Sequence, residues 1–536
     1  MAIWRSDVQT LWQDRTESKD CHATLNRLSR LAAPILFVLS SHVGAAKWEV
    51  VPKLVVGETY TDNVFLVPEA SKQSDWVTQV LPGITVTGRG ANLQFDAEYN
   101  PEILYFAQSG YDEQVFQRGR ATGVAELANE RFFADFGATV DQYDASIQSP
   151  ITTSNVNPTG NRSTVGTYYL SPYYREDFGS KFNVEARFTE SIVRSDEPSS
   201  FSTASSTTSS SLSNSTSERI DLRLQSGPAY KRTIWGVEYN KESIDYKNAP
   251  ETSIELISAN ARRLVSPTVG LLARIGHESY ESGEVASDTE GPSWSMGFDW
   301  TPSRRTRFTA TAGHRFYGDD YLMEFSHRTR VTAWTVGYTE NVTTNRTEFF
   351  VGSTTSATGY IDTLFTSQYA DPEAREHAVA DFVASTGMPS TPTNFFSNKL
   401  LLVKKWEASA GILGIRNILI ANVFTESSES LDNNLAISGT DDFAASSSIN
   451  QAGGSVLWNS RITSRVAWNL NLAYSRNEFP DTGRADDLVY VGMGLTRQLQ
   501  PRLWGSLNYR RQQRDSNVAE GEYTENALIA TIQKRF

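Results

Sequence analysis

The sequence predicts an all-β fold, a transmembrane antiparallel β-barrel of about 22 strands (roughly 20–22) closed by pairing of its first and last strands. Three observations carry that prediction. Period-two alternation of apolar and polar residues recurs along nearly the whole chain after residue 46. Connections between the alternating segments are by turns long and short, the asymmetry of a barrel with external loops and periplasmic turns. The chain ends on a strand in which Leu528, Ala530, Ile532, Lys534 and the terminal Phe536 share one face, with Ile529, Thr531, Gln533 and Arg535 on the other.

Composition agrees. A chain of 536 residues is too long for one ordinary soluble core unless it splits into domains or forms a large closed sheet. Aromatic residues make up 11% of it, with 12 Trp and 22 Tyr, while mean hydropathy is only -0.40. No apolar run beyond the N-terminus reaches the roughly 18 residues of a membrane helix. Barrel strands need be apolar on one face alone.

At the N-terminus, Arg27 and Arg30 precede an apolar stretch from Leu31 to Leu39 and the small residues Gly44, Ala45 and Ala46. Residues 1–46 therefore read as a secretory signal cleaved after Ala45 or Ala46, and residues 47–536 as the barrel. The first 26 residues are unusual for such a signal, carrying Asp7, Asp14, Glu17 and Asp20, so the true translation start is expected further in. Cys21, the one cysteine, falls in this segment and outside any lipobox. A mature chain without thiols suits transit through an oxidising periplasm. Cleavage removes five basic and four acidic residues, leaving 44 basic against 58 acidic. That balance argues against nucleic acid or an anionic polymer as a partner held by bulk charge.

Several strands can be read directly. Leu93, Phe95, Ala97 and Tyr99 alternate with Gln94, Asp96 and Glu98; Trp294, Met296, Phe298 and Trp300 alternate with Ser293, Ser295 and Asp299. Val466, Trp468, Leu470, Leu472 and Tyr474 alternate with Arg465, Asn469, Asn471 and Ser475. Short connections are expected at 88–90, 128–130, 176–179, 301–304, 413–416 and 498–501, and long polar ones at 61–74, 144–163, 195–217, 281–290, 426–448 and 514–521. One connection, 317–320, is short where a long one is due. An even strand count places both chain ends at the periplasmic rim, and a barrel this wide holds water or a plug rather than a packed core.

Two loops stand apart. Residues 195–217 form a Ser/Thr-rich tract too polar to pack, expected as an external loop. The 344–394 insertion carries a helix signature, with Asp371 as cap, Pro372 in the first turn, Ala374, Ala378, Phe382 and Val383 at helical spacing, and Gly387 and Pro389 as terminators. Its apolar face is expected to fold into the mouth or lumen as a constriction; a helix lying over the rim is the alternative.

No catalytic set emerges, and the chain is read as a non-enzyme without cofactors. The histidines, His22, His42, His277, His314, His327 and His377, are not at metal-ligand spacing, and no nucleophile elbow or phosphate loop is present. A charge ladder is more informative. Arg305, Arg307 and Arg315 are read on the face opposite Phe308 and Phe316, and Glu324, Arg328 and Arg330 on the face opposite Tyr321, Met323 and Phe325. Charges on the lipid side cost about 2–4 kcal/mol each near the midplane, so these residues are expected to face the lumen. Asp96, Glu98, Asp135, Asp221, Glu238 and Asp299 are expected there as acidic partners. Two readings stay open: a wet interior with ion pairs across it, or a transverse field that selects polar or charged solutes. Trp48, Trp76, Trp294, Trp300, Trp334, Trp458 and Trp468 fit interfacial girdles, with sugar stacking as the alternative role, and Trp504 is read as looking inward.

The aromatic final residue, Phe536, resembles the C-terminal signal by which Gram-negative outer-membrane barrels are recognised for insertion. Longer stretches carry a second resemblance. Pro52-Lys53-Leu54-Val55-Val56 with Glu58-Thr59-Tyr60-Thr61-Asp62-Asn63-Val64, Leu81-Pro82-Gly83-Ile84, Trp300-Thr301-Pro302-Ser303-Arg304-Arg305-Thr306 and Gly313-His314-Arg315-Phe316-Tyr317-Gly318 resemble the PEP-CTERM (exosortase) system-associated outer-membrane barrel family. Ser326-His327-Arg328-Thr329-Arg330, Trp334-Thr335-Val336-Gly337-Tyr338 and Lys534-Arg535-Phe536 extend the likeness over the mature chain. The resemblance implies genomic company with exopolysaccharide synthesis and protein sorting, and supplies no catalytic residues. The expectation is an outer-membrane channel or conduit linked to exopolysaccharide export, with outer-membrane lipid, the barrel insertion machinery and polysaccharide-export components as partners. A general diffusion porin and a plugged structural or surface-attachment barrel are the alternatives.

Overall fold

A computed structural model describes residues 46–196, 212–282, 289–351, 395–431, 441–443, 446–518 and 521–536. The strands in chain order are β1 Lys47–Thr61, β2 Asp75–Arg89, β3 Leu93–Tyr99, β4 Glu102–Phe106, β5 Gln114–Phe116, β6 Gly119–Ala128, β7 Phe132–Asp144, β8 Arg162–Phe178, β9 Phe182–Ser195, β10 Ser215–Ser226, β11 Thr233–Tyr246 and β12 Thr252–Ser266. They continue as β13 Val269–Ser282, β14 Glu290–Ser303, β15 Thr306–Arg315, β16 Gly318–Arg328, β17 Thr332–Thr344, β18 Leu400–Leu413, β19 Asn417–Ser430, β20 Ser448–Arg461, β21 Val466–Phe479, β22 Arg484–Gln500, β23 Leu503–Ser516 and β24 Tyr523–Arg535. One helix, α1 Asn345–Val351, follows β17.

Every strand pairs antiparallel with its neighbours, and β1 pairs with β24 from Lys53 opposite Arg535 to Thr61 opposite Ala527, so the sheet closes on itself. The 24 strand segments make 22 wall strands, because two wall strands are interrupted. β2 pairs with β3 as far as Ile84 opposite Tyr99, then resumes in the same register with β4 at Val80 opposite Ile103. Between them lies Pro101, which has no N–H to give to the ladder. β5 and β6 share the complementary break, with Glu102 opposite Phe116 and Tyr99 opposite Gly119.

Alternation decides which face points where. On adjacent strands β13 and β14, Ile275 and Met296 stand 66% and 65% exposed on the outer surface, while Asp299, on the opposite face of β14, is 2% exposed. The same outward row holds Trp294, Phe298 and Trp300. A continuous apolar exterior around a closed ladder leaves no backbone edge to be satisfied by solvent, the condition for a sheet to sit in hydrocarbon.

One rim is made of tight turns. The 129–131 turn uses Asn129 and Glu130 in the left-handed region, with φ of 54° and 56°, the conformation of a two-residue hairpin whose twist matches its strands. The other rim carries the long connections, with three short exceptions rather than the one expected: 316–317, 247–251 and 480–483. Strand β19 runs to Ser430 and β10 begins at Ser215, so both neighbouring loops are shorter than the sequence suggested. The helix expected over 371–387, residues 1–45 and most of the Ser/Thr tract lie outside the described residues.

The outward row predicts an asymmetric response to charge. Met296→Arg should destabilise the barrel in lipid vesicles by about 2–4 kcal/mol, whereas Ser295→Arg on the inner face should cost less than half as much, both read by denaturant unfolding.

Candidate functional site

The interior nearest the long-loop rim is crossed by chain rather than left open. The 145–161 segment joining β7 to β8 turns inward. Its Ile147 and Ile151 pack with Phe395, Leu401, Phe443, Ile449 and Phe479, which come from β18, β20, β21 and the connections beside them. Val156, further along, packs on Val64, Val77 and Leu104. Ala145 joins Val165, Val193, Leu212, Phe349 and Phe396 in a third cluster, and the Phe396 N–H donates to the Ala145 carbonyl at 3.0 Å. Five connections therefore contribute to these clusters, through Val64, the 145–161 segment, Leu212, Phe395 with Phe396, and Phe443, burying apolar side chains that solvated loops would expose.

Buried charge fixes these segments to the wall. Glu525 on β24 is fully buried and accepts from Thr61 Oγ1 at 2.8 Å, Asn157 Nδ2 at 3.0 Å, Gln512 Nε2 at 2.8 Å and Arg510 Nη2 at 2.7 Å. Arg510 also donates to Asn157 Oδ1 at 3.0 Å. One loop asparagine thus sits between a buried cation and a buried anion, satisfying both. Arg514 is paired with Asp486 at 2.8 Å and donates to the carbonyls of Ile147, Gln148 and Ser149. Carbonyls pointing at a guanidinium stabilise it where water is excluded, and Asp486 is shared with a second arginine, Arg484, at 2.9 Å. Helix α1 is held by Arg346, which donates to Ser191 Oγ at 2.7 Å and Ser215 Oγ at 3.0 Å and approaches Glu242 at 3.4 Å.

Asp442, in the connection between β19 and β20, caps the same loop. It accepts from the Ser146 hydroxyl and from the Ile147 N–H at 2.9 Å. Burial pushes its carboxyl up to about 6, outweighing the two donors that favour the charged form.

The residues singled out in the sequence are distributed around the wall. Asp96 pairs with Arg89 at 2.8 Å, Glu98 with Lys53, Asp135 with Arg187 at 2.6 Å, Glu238 with Arg223 at 3.4 Å and Asp299 with Arg262. Arg315 meets Glu278 at 2.8 Å and Asp320 at 3.7 Å. Arg219 chelates Asp221 at 2.9 Å. Arg307 and Glu324 stand on the inward parity of β15 and β16, and Arg328 on that of the last β16 residue. The ladder of arginines is not one cluster. Arg305 and Arg330 lie in the tight turns beside β15 and β16, where strand alternation has ended, and Arg315 is at the other end of β15. Phe536 is exposed at the tight-turn rim, its N–H bonded to the Pro52 carbonyl at 2.9 Å.

Sequence reasoning missed Arg346, Asp442, Arg510, Arg514, Glu525 and Asn157. Two signals were available: Ile147, Ile151 and Val156 are branched apolar residues inside a supposedly solvated loop, and Asn345 stands three residues before Glu348 in a capping pattern. Among the described residues no group of three or more His, Cys, Asp or Glu forms a metal site.

Residues 433–536 match a family described as "Putative beta-barrel porin 2". No curated protein matches the chain. Similar solved structures include the siderophore receptor PirA from Pseudomonas aeruginosa, at 10% identity over 91% of this chain and 80% of that one with a TM-score of 0.44. A BenF-like porin from Pseudomonas fluorescens Pf-5 shows 9% identity over 91% and 99% with a TM-score of 0.34. Acinetobacter baumannii OccAB1 shows 8% identity over 91% and 97% with a TM-score of 0.33.

The Asp442 contact sets a direction for pH. Its folded carboxyl titrates above the ordinary value of 3.8, so the packed loop is most stable with Asp442 protonated and loses stability as the pH rises from about 4 through 6. The thermal unfolding temperature of the barrel should fall over that interval, and Asp442→Asn should flatten the response.

Proposed function

We propose that this chain is a porin-like pore of the bacterial outer membrane for small polar solutes, narrowed at its external side by inward-folded loops. The observation that carries the reading is the pairing of an apolar exterior with an inner face lined by ion pairs and amides. Asp96, Glu98, Asp135, Glu238, Asp299, Arg307, Arg315, Glu324 and Arg328 face a wet lumen in this reading, with Arg305 and Arg330 at its periplasmic rim. Paired charges leave a polar wall without a strong net field, which suits general solutes more than a single ion class. The match of the C-terminal segment to a porin family supports the same reading. Residues 1–46 serve as the export signal, and Phe536 as the mark read by the insertion machinery.

Export of a polysaccharide chain, which the exosortase-type resemblance implies, demands a wider passage. The 145–161 segment, held to the wall through Asn157 and Arg514, lies on the path such a chain would have to thread, one extended sugar unit wide. Small solutes need no such opening.

Liposome swelling tests this directly. Vesicles carrying the purified barrel should admit a pentose or hexose readily and a hexasaccharide far more slowly. Equal exclusion of all of them would show a plugged barrel, and equal entry of all of them would contradict the constriction.

A further inference from the structure

The inner wall is chemically two-sided. From β3 to β15 the inward positions carry the ion pairs described above. In the sector from β21 to β24 the ion pairs Arg510–Glu525 and Arg514–Asp486 sit where the 145–161 segment meets the wall, and the inward positions below them are mostly amides and hydroxyls. There a cavity of about 570 Å³ is lined by Asn469, Asn471, Thr496, Ser506, Asn508 and Thr531, with Thr153 and Ser154 of the inward loop at its upper end and Trp504 and Arg535 toward the tight-turn rim.

We propose that this cavity is a binding slot for neutral saccharide units, an inference that rests on the pore reading and names its substrate class. The floor is built for it. Gly494 lies between Asn469 and Asn508 on the neighbouring strands, and a Cβ there would stand 2.4 Å from the Asn469 amide oxygen and 2.0 Å from that of Asn508. Only glycine lets both carbonyls lean over the same point. The Asn469 oxygen is buried and has no hydrogen-bond partner in the protein, so a turn of its amide toward the cavity would give it a ligand hydroxyl as donor. Gly492, next on the same face, leaves room for the Tyr490 hydroxyl, which stands 2.9 Å from where its Cβ would be.

Chemistry selects the ligand. Amides and hydroxyls both donate and accept, as sugar hydroxyls do, so an array of them matches a polyol without regard to charge. The cavity lining includes no carboxylate to draw a cation. Of its two cations, Arg510 is neutralised by Glu525 and Arg535 has its guanidinium 5.4 Å from the Trp504 ring centroid. Trp504 adds an aromatic surface of the kind on which the apolar face of a pyranose ring rests. From Arg510 to Trp504 the strand rises roughly 20 Å, length enough for several sugar units along the direction of transit.

The experiment is isothermal titration of the whole detergent-solubilised barrel with maltotriose, trigalacturonate and trilysine, with single-channel conductance measured on the same preparations. Maltotriose should bind saturably and more tightly than either charged trimer. Two variants are expected to weaken it at least about tenfold, the loss of roughly two hydrogen bonds: Gly494→Leu, which fills the floor, and the double variant Asn469→Ala with Asn508→Ala. Both should retain heat-modifiable migration of a folded barrel. Absence of saturable maltotriose binding, tighter binding of trigalacturonate, or undiminished binding in both folded variants would overturn the slot. Conductance without saccharide binding removes this inference alone, whereas binding without conductance removes the pore reading and leaves the slot.

Discussion

Closure of the sheet is the constraint on which everything else depends. In hydrocarbon an unpaired strand edge costs several kcal/mol per exposed peptide group, so β1 and β24 must meet. They do so over nine residue pairs, from Lys53 with Arg535 to Thr61 with Ala527. Once the wall is closed, period-two alternation sorts side chains without further instruction: Ile275 and Met296 outward, Arg262 and Asp299 inward. The seam also anchors the interior, since Thr61 on β1 and Glu525 on β24 bond to each other at its upper end.

Twenty-two strands enclose more space than wall side chains can fill, and the chain fills part of it with its own connections. A loop drawn into such a space must bring its polar backbone with it. Here Arg514 takes the carbonyls of Ile147, Gln148 and Ser149, while Asn157 bridges Arg510 and Glu525. The wall supplies the charges and the loop supplies the amides that satisfy them. Burying ions on these terms fixes the loop's position more than it adds stability. Beneath that loop, β21 to β24 present mainly amides and hydroxyls.

The wall was legible in the sequence because its signal repeats with period two along each strand, and because Leu528 to Phe536 identifies the closing strand. The strand total followed from the rhythm of the connections, even though Pro101 splits one wall strand and 247–251 and 480–483 are shorter than that rhythm suggests. The interior was far less legible. The shared face of Asp299 and Arg315 follows from parity, but their partners depend on register between strands, as in Arg262 with Asp299 across β12, β13 and β14. Arg305 and Arg330 fall in tight turns, where strand parity no longer assigns a face. Arg514 and Asp442 escaped notice because their loop partners, the carbonyls of 147–149 and the Ser146 and Ile147 donors, lie hundreds of residues away in sequence.

The inward course of the 145–161 segment brings it within cross-linking distance of β23. Thr153 Oγ1 lies 3.4 Å from Gln512 Oε1 on β23. In a chain whose own Cys21 is replaced by Ser, cysteines introduced as Thr153→Cys and Gln512→Cys should be joined by a short bismaleimide in intact outer membranes, giving an internally linked band of altered mobility. Two thiols that each react singly but never link would place the loop outside the lumen and contradict the account.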